Sequence, residues 1–390
     1  MKIAVVSCGT RGDVQPMAAL TLGLNAAGHQ AFLHAPPENE AWARGLGCPF
    51  QALGAPVRGN PILKADGLGA LARFVRQEIG TQVRQLRERA RGCDLMLATG
   101  LAFGAPGVAE SLGIAYRYVS FVPAASLGTT KDGLGFKLLG WLTARLVNAG
   151  VLSAVNRSRS ELGLQPIGNV LANAIGAGAI AATDAALTTV PPGVALRAVQ
   201  TGYMHLRQPG QLDGEAEAFL DSGPPPVYVG FGSMPVPRAE RMGQLLADAA
   251  RTAGRRFVVA SGWGGPKGTA RQGDCLFVDD VPHALLFPRV AAVVHHGGAG
   301  TVATAARAGV PQVVLPHMSD QFMWRSKVVK LGLGPRAGLL RMLSARSLAK
   351  AVLECLENER YKRKAEEIAT AIRDTDGVDL TVRAIEAIKM

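Results

Sequence analysis

Short apolar runs alternate with helix-period stretches along this chain, and the alternation starts afresh near its middle. Ile3–Ser7 is an apolar run that enters a polar, glycine-bearing loop at Cys8–Val14. Pro16–Ala27 then repeats apolar positions at helical spacing and stops at Gly28. Further strands are expected at Ala31–His34, Asp94–Thr99, Ala115–Val119 and Ala185–Val190, with a helix-period stretch at Leu71–Arg89. Val227-Tyr228-Val229-Gly230-Phe231 opens the second series. It continues through Gly232-Ser233, a helix around Glu240–Thr252, and strands at Arg256–Ala260, Cys275–Val278, Ala291–Val294 and Gln312–Leu315. Strands alternating with helices form βαβ units and therefore parallel sheets. The expected fold is α/β, with two parallel-sheet domains whose ligands lie beyond the carboxyl ends of the strands, in a cleft between the domains.

At 390 residues the chain is long enough for two domains of about 150–200 residues. Gln208, Pro209, Gly210, Gly214, Gly223 and Pro224-Pro225-Pro226 mark a linker. The expected organisation is an N-terminal domain at 1–207, a linker at 208–226, a C-terminal domain at 227–372 and a terminal segment at 373–390. The terminal segment carries an amphipathic helix at Asp379–Lys389.

The apolar fraction of 48% suffices for two cores, and aromatics at 5% disfavour a stacking platform for single-stranded nucleic acid. Net charge is +12, with basic clusters such as Arg84-Gln85-Leu86-Arg87-Glu88-Arg89-Ala90-Arg91 interrupted by acids. Solvated faces explain such clusters, and peripheral contact with an anionic membrane is the alternative. Cys8, Cys48, Cys93, Cys275 and Cys355 are scattered, without C-x-x-C spacing, and read as buried thiols of a reduced compartment. The first residues form a strand without signal-peptide architecture, so the expected location is cytoplasmic. The uncharged run Leu162–Thr183 is interrupted by Gln165, Pro166, Asn169 and Asn173, and reads as a buried helix instead of a membrane span.

The chemistry concentrates in Val293-Val294-His295-His296-Gly297-Gly298-Ala299-Gly300-Thr301. An apolar strand feeds a glycine-rich turn and then a helix expected to start near Ala299. A helix N-terminus exposes unpaired N–H groups and partial positive charge, so it can hold a phosphate. His296 and Thr301 add side-chain donors there. His295 alternates to the other side of the strand and reads as structural. Asp320-Gln321, after the next strand, suits sugar hydroxyls, so phosphate plus polyol points to a nucleotide-sugar. The first turn, Gly9-Thr10-Arg11-Gly12-Asp13-Val14-Gln15-Pro16, has neither the dinucleotide fingerprint nor a P-loop ending. Asp13 there is either a general base for an acceptor hydroxyl or the N-cap of a helix beginning near Pro16. Arg11 reads as a surface charge. Asp374-Thr375-Asp376 spells a metal-binding D-x-D, but helix capping and solvation explain it better, and no metal or cofactor is expected.

Gly9–Pro16, Thr201-Gly202-Tyr203, Phe231-Gly232-Ser233-Met234, His295–Thr301 and Asp320-Gln321 together resemble family 1 glycosyltransferases of the two-domain GT-B fold. The resemblance spans nearly the whole chain. It is nearest to the bacterial branch with glycopeptide-antibiotic and sterol glucosyltransferases. It implies an N-terminal acceptor domain, a C-terminal nucleotide-sugar domain and a terminal helix that crosses back onto the N-terminal domain. By the same resemblance, Ser233, His296, Gly298, Gly300 and Thr301 would contact the donor diphosphate, and Asp320 and Gln321 the sugar. Asp13 falls where many relatives carry a catalytic histidine. A carboxylate is a weak base for an alcohol, so its proton transfer would be late and helped by desolvation. The stacking tryptophan of plant relatives is missing from Asp280-Val281-Pro282-His283. Val281 and His283 would meet the nucleobase instead, and Trp263 is a further candidate.

The resulting expectation is an inverting, metal-independent transfer from a UDP- or dTDP-sugar to a hydroxyl of a small, hydrophobic acceptor such as a natural product, sterol or lipid. Ala124–Leu152 and Val170–Ala182, with Phe121, Phe136 and Trp141, would line the acceptor pocket or fill the N-terminal core. The alternatives are a nucleotide-sugar epimerase, a lipid-carrier glycosyltransferase or a catalytically silent nucleotide-sugar-binding partner. Nucleic acid is not an expected partner.

Overall fold

The computed structural model describes residues 1–64, 68–122, 133–176, 178–190, 198–207, 210–232, 239–261, 271–279, 281–317 and 320–388. The first sheet is built from β1 (Lys2–Cys8), β2 (Gln30–Ala35), β3 (Phe50–Ala52), β4 (Leu95–Gly100), β5 (Ala115–Ser120), β6 (Ala179–Ala181) and β7 (Ala198–Gln200). All pairs are parallel, in the order β3-β2-β1-β4-β5-β6-β7. Its helices are α1 (Arg11–Ala26), α2 (Glu40–Gly45), α3 (Leu68–Arg89), α4 (Ala105–Leu112), α5 (Gly133–Glu161) and α6 (Val170–Ile175). Ala4, Val6 and Cys8 of β1 point to the side packed by Ile79, Val83 and Leu86 of α3, as the two-residue period of a strand requires.

The second sheet comprises β8 (Val227–Gly230), β9 (Phe257–Ala260), β10 (Arg271–Gln272), β11 (Cys275–Val278), β12 (Ala292–His295) and β13 (Gln312–Val314). Its order is β10-β11-β9-β8-β12-β13, parallel except for the β10–β11 pair. Its helices are α7 (Gly214–Asp221), α8 (Ala239–Ala253), α9 (His283–Leu286), α10 (Ala299–Arg307), α11 (Gln321–Lys330), α12 (Ala345–Glu357) and α13 (Glu359–Ile372), and α14 (Gly377–Glu386) ends the chain. Alternate residues serve two cores. Val227, Val229, Phe257, Val259 and Val294 pack with α8 and α12, while Tyr228, Val258, Leu276 and Val293 pack with α7 and α9. Burial on both faces is why these strands read as continuous apolar runs.

Two compact units result. One contains Met1–Ala185, Thr189–Arg207 and Asp376–Met390; the other contains Ala186–Thr188 and Gln208–Thr375. Helix α14 therefore belongs to the first unit. Val378 fills the notch over Gly23 of α1, where an added Cβ would lie 2.2 Å from its Cγ1. The Thr381 and Thr201 hydroxyls share a buried 2.8 Å hydrogen bond. Asp376 caps α14 by accepting from Val378 and Asp379, and pairs with Arg207. That is a capping role for the second aspartate of D-x-D.

Several sequence expectations are corrected. Helix α1 begins at Arg11 and not near Pro16, because Thr10 and Asp13 form a capping box that starts it earlier. The stretch expected as a linker contains α7, whose Ala216, Phe219 and Leu220 recur at helical spacing and enter the second unit's core. Ala185–Val190 is turn and coil, and β7 supplies the strand instead. Leu162–Thr183 is not one buried helix. Its α6 stops at Gly176 (φ 53°), and β6 then joins the sheet beside β5. Among the described residues no helix is long and apolar enough to cross a membrane.

Candidate functional site

In both sheets the strand order reverses beside the first strand of the series, and ligands of doubly wound folds bind at such switch points. In the first unit this point lies between β1 and β4; in the second it lies between β8 and β12. The sequence motifs fall at both.

In the second unit β12 ends at His295 and α10 begins at Ala299, with Gly298 as its N-cap and no side-chain cap. Val302 N–H is bonded to the Gly298 carbonyl at 3.0 Å. The N–H groups of Ala299, Gly300 and Thr301 precede it and have no intrahelical acceptor, which makes this end an anion cradle. Gly297 has φ 99° and lies against α11: an added Cβ would sit 2.9 Å from Val314 Cγ1 and 3.1 Å from the Gln321 carbonyl oxygen. That contact brings the turn beside the Asp320-Gln321 pair.

The His296 ring lies in this turn with its Cε1–Nε2 edge against two glycines. A Cβ on Gly298 would be 2.6 Å from Nε2, and one on Gly232 would be 2.9 Å from Cε1. Gly232, at the carboxyl end of β8, thus meets His296 across the switch point. Burial first, then the charges of His283 and His317, lowers the His296 pKa to about 4, so the ring is neutral at pH 7. A neutral imidazole carries one N–H donor and one acceptor. Its buried Nδ1 has no protein partner.

His295 is fully buried. Its Nδ1 accepts from Gly297 N–H at 3.1 Å, so the proton is on Nε2, which faces Gln312 Oε1 at 3.0 Å. Burial, then His296, lowers its pKa to about 3. This histidine pins the turn and takes the structural role expected for it.

Asp320 is the N-cap residue of α11, and its carbonyl accepts from Met323 and Trp324. Gln321 is 5% exposed, and its Oε1 accepts from the His317 backbone at 2.8 Å. His317, whose buried Nδ1 lacks a protein partner, was not singled out from the sequence. The signal available was its place between the end of β13 and Asp320. His283 faces the Tyr228 hydroxyl at 2.7 Å and stacks on Phe287 at 4.5 Å. The Val281 side chain packs into the core with Tyr228 and Leu286, so only its backbone is available to a base. Ser233, Trp263 and Asp280, and the side chains of Phe136 and Trp141, lie outside the described residues.

In the first unit Asp13 is the third residue of α1, not its N-cap. Its Oδ2 accepts from Thr10 N–H at 2.9 Å, and its Oδ1 lies 3.7 Å from where a Cβ on Gly100 would stand. Gly9 is required for close approach, because a Cβ there would be 2.2 Å from Oδ2. Burial and, secondly, the Asp13 charge push up the pKa values of Cys8 and Tyr203, which places both groups around this carboxylate. Tyr203 meets Phe121 and His205 edge-on at 5.9 and 4.9 Å. Tyr203 and His205 carried no assigned role in the sequence reading, although Thr201-Gly202-Tyr203 stood out as a motif. Arg11 sits over the Trp42 ring at 3.5 Å, a cation–π contact and not a merely solvated charge.

Residues 267–375 match the family described as erythromycin biosynthesis protein CIII-like, C-terminal domain. Over 402 residues the chain is 35% identical to the vancomycin aglycone glucosyltransferase of Amycolatopsis orientalis, covering 99% of this chain and 97% of that protein. The chain belongs to this glycosyltransferase family. This glycosyltransferase is also 29% identical to the sterol 3-beta-glucosyltransferase UGT80A2 of Arabidopsis thaliana, over 98% of its own length and 65% of that protein. Its fold matches the solved kitacinnamycin glycosyltransferase with a TM-score of 0.77 at 19% identity, covering 99% and 98% of the two chains. The fold is GT-B, with two Rossmann-like domains, as the sequence resemblance implied.

Proposed function

We propose that this glycosyltransferase moves a sugar from a UDP- or dTDP-sugar to a hydroxyl of a small, largely hydrophobic natural product or sterol, inverting the anomeric centre without a metal ion. The observation that carries the reading is the uncapped α10 N-terminus beside the neutral His296 ring and the Asp320-Gln321 pair. The N–H groups of Ala299, Gly300 and Thr301, the His296 ring and the Ser233 hydroxyl take the diphosphate. Asp320 and Gln321 take the sugar hydroxyls, and the Val281 backbone with His283 takes the base.

The reaction then balances as a single displacement. The acceptor oxygen attacks the anomeric carbon as its proton passes to Asp13. Asp13 Oδ2 accepts from the Thr10 N–H, and Oδ1 lies on the Gly100 side. The bond from the anomeric carbon to the phosphate oxygen breaks, and its electron pair leaves on the nucleoside diphosphate. Fixed N–H dipoles stabilise that charge without reorganising. Similarity to a vancomycin aglycone glucosyltransferase and a sterol 3-beta-glucosyltransferase supports a natural-product or sterol acceptor.

The test is a donor panel of UDP-glucose, UDP-GlcNAc, dTDP-glucose and dTDP-rhamnose against phenolic, sterol and macrolide acceptors, read by mass. The expected result is one hexose added, with inverted anomeric configuration and an undiminished rate in chelator. Epimerised donor without acceptor, or loss of turnover in chelator, would overturn the reading.

A further inference from the structure

The outer face of α3 carries arginines in a pattern that packing does not explain. At about 100° per residue, Arg73, Arg76, Arg84 and Arg87 fall within an arc of about 80° and extend over about 21 Å of helix. Arg91 follows in the turn beyond the helix end, and all five are exposed. The opposite face, with Phe74, Val75, Ile79, Val83 and Leu86, is buried in the first unit's core. No acid falls inside the arc: Glu78 turns to the Ala55 backbone, and Glu88 stands on the flank.

Among the described residues none of these five arginines forms a salt bridge, as three exposed arginines on other helices do. Arg44 pairs with Glu40, Arg251 with Asp248 and Arg383 with Asp379, each one turn away. Like charges one turn apart destabilise a helix. The helix dipole offsets this only in the last turn, near Arg87, and not at Arg73 or Arg76.

We propose that this face of α3 is an electrostatic docking surface for an anionic membrane. A straight helix presents its arginines in one plane, which matches a planar layer of acidic headgroups. None of α3's described side chains is both large, hydrophobic and exposed, so attachment is by charge without insertion and is reversed by salt. The arc also carries no aromatic side chain to stack a base, which favours lipid over single-stranded nucleic acid. This inference is independent of the donor and acceptor reading.

The experiment is sedimentation of the full-length protein with vesicles of phosphatidylcholine alone, or with about a third phosphatidylglycerol. Binding is expected only to the anionic vesicles at about 0.1 M salt, with release at about 0.5 M. Arg84→Gln/Arg87→Gln should weaken partitioning roughly 25-fold, at about fivefold per arginine. The charge-matched control Arg251→Gln/Arg383→Gln should bind as the parent does, with both variants checked by circular dichroism. Absent binding to anionic vesicles, equal binding by the stripe variant, or equal loss in the control overturns the proposal. Tighter retention on single-stranded RNA than on the vesicles does so too, in favour of a nucleic-acid partner.

Discussion

Gly298→Ala tests the His296 side of the proposed diphosphate site. Gly298 has φ −64° and ψ 140°, which alanine adopts without strain, so the substitution acts mainly through the added methyl group. That methyl would stand 2.6 Å from Nε2, against an ordinary contact of 3.4 Å, so the ring must withdraw by about 0.8 Å. Such a shift stretches a hydrogen bond of about 2.9 Å beyond useful length. Hydrogen bonds to charged groups contribute about 1.5–3 kcal/mol, so Kd for UDP or dTDP should rise roughly 10- to 150-fold. Replacing the N-cap glycine costs about 1 kcal/mol of stability, which leaves the domain folded. Titration calorimetry with both nucleotides measures the effect. Gly338→Ala, where an added Cβ meets nothing within 4 Å, is the control. A folded Gly298→Ala protein whose Kd stays within about twofold refutes the assignment of His296 to the diphosphate.

His34, His295 and His296 have folded pKa values of about 4, 3 and 4, below the unfolded value of 6.5. The unfolded chain therefore gains protons first as pH falls. Their contribution is complete above pH 6.5 and is lost from there towards pH 4, by up to about 1.4 kcal/mol per pH unit for each histidine. Urea titrations at pH 7.5 and 5.5 should show lower stability at 5.5, and equal midpoints would contradict the buried, neutral state of these rings. At the notch under α14, Gly23→Ala gains about 1 kcal/mol of helix propensity but forces a methyl against Val378, costing about 1–3 kcal/mol. In a Val378→Ala background the same change should become stabilising, so the double-mutant cycle should show coupling of at least about 1 kcal/mol. Additive effects on thermal unfolding would mean that α14 does not press on Gly23.

The strand–turn–helix junction proposed to hold the donor was legible because its signal is local. A strand, glycines and a helix start lie within His295–Thr301, and the structure shows that junction with α10 starting at Ala299. Gly232 and His317 were not legible as neighbours of His296, because their approach depends on β8 lying beside β12 and β12 beside β13. Pro16 obscured the helix start at Arg11. Proline is favoured at a first helical position, yet Thr10-x-x-Asp13 was the stronger local signal. Likewise, glycine and proline around α7 suggested a linker and masked the buried stripe of Ala216, Phe219 and Leu220. Short strands such as β6 and β7 have three residues each, too few for their periodicity to stand out.

The central claim is that Asp13 takes the acceptor proton while the second unit holds the leaving nucleotide. Asp13→Asn tests it most directly, because asparagine keeps an oxygen to accept the Thr10 N–H bond while removing the basic carboxylate. Steady-state transfer to the acceptor found in the donor panel should fall by about 100- to 10,000-fold in kcat, as for loss of a general base. Calorimetric Kd for UDP or dTDP and thermal stability should remain those of the parent. A kcat within about threefold of the parent, with nucleotide binding intact, would remove Asp13 from the chemistry.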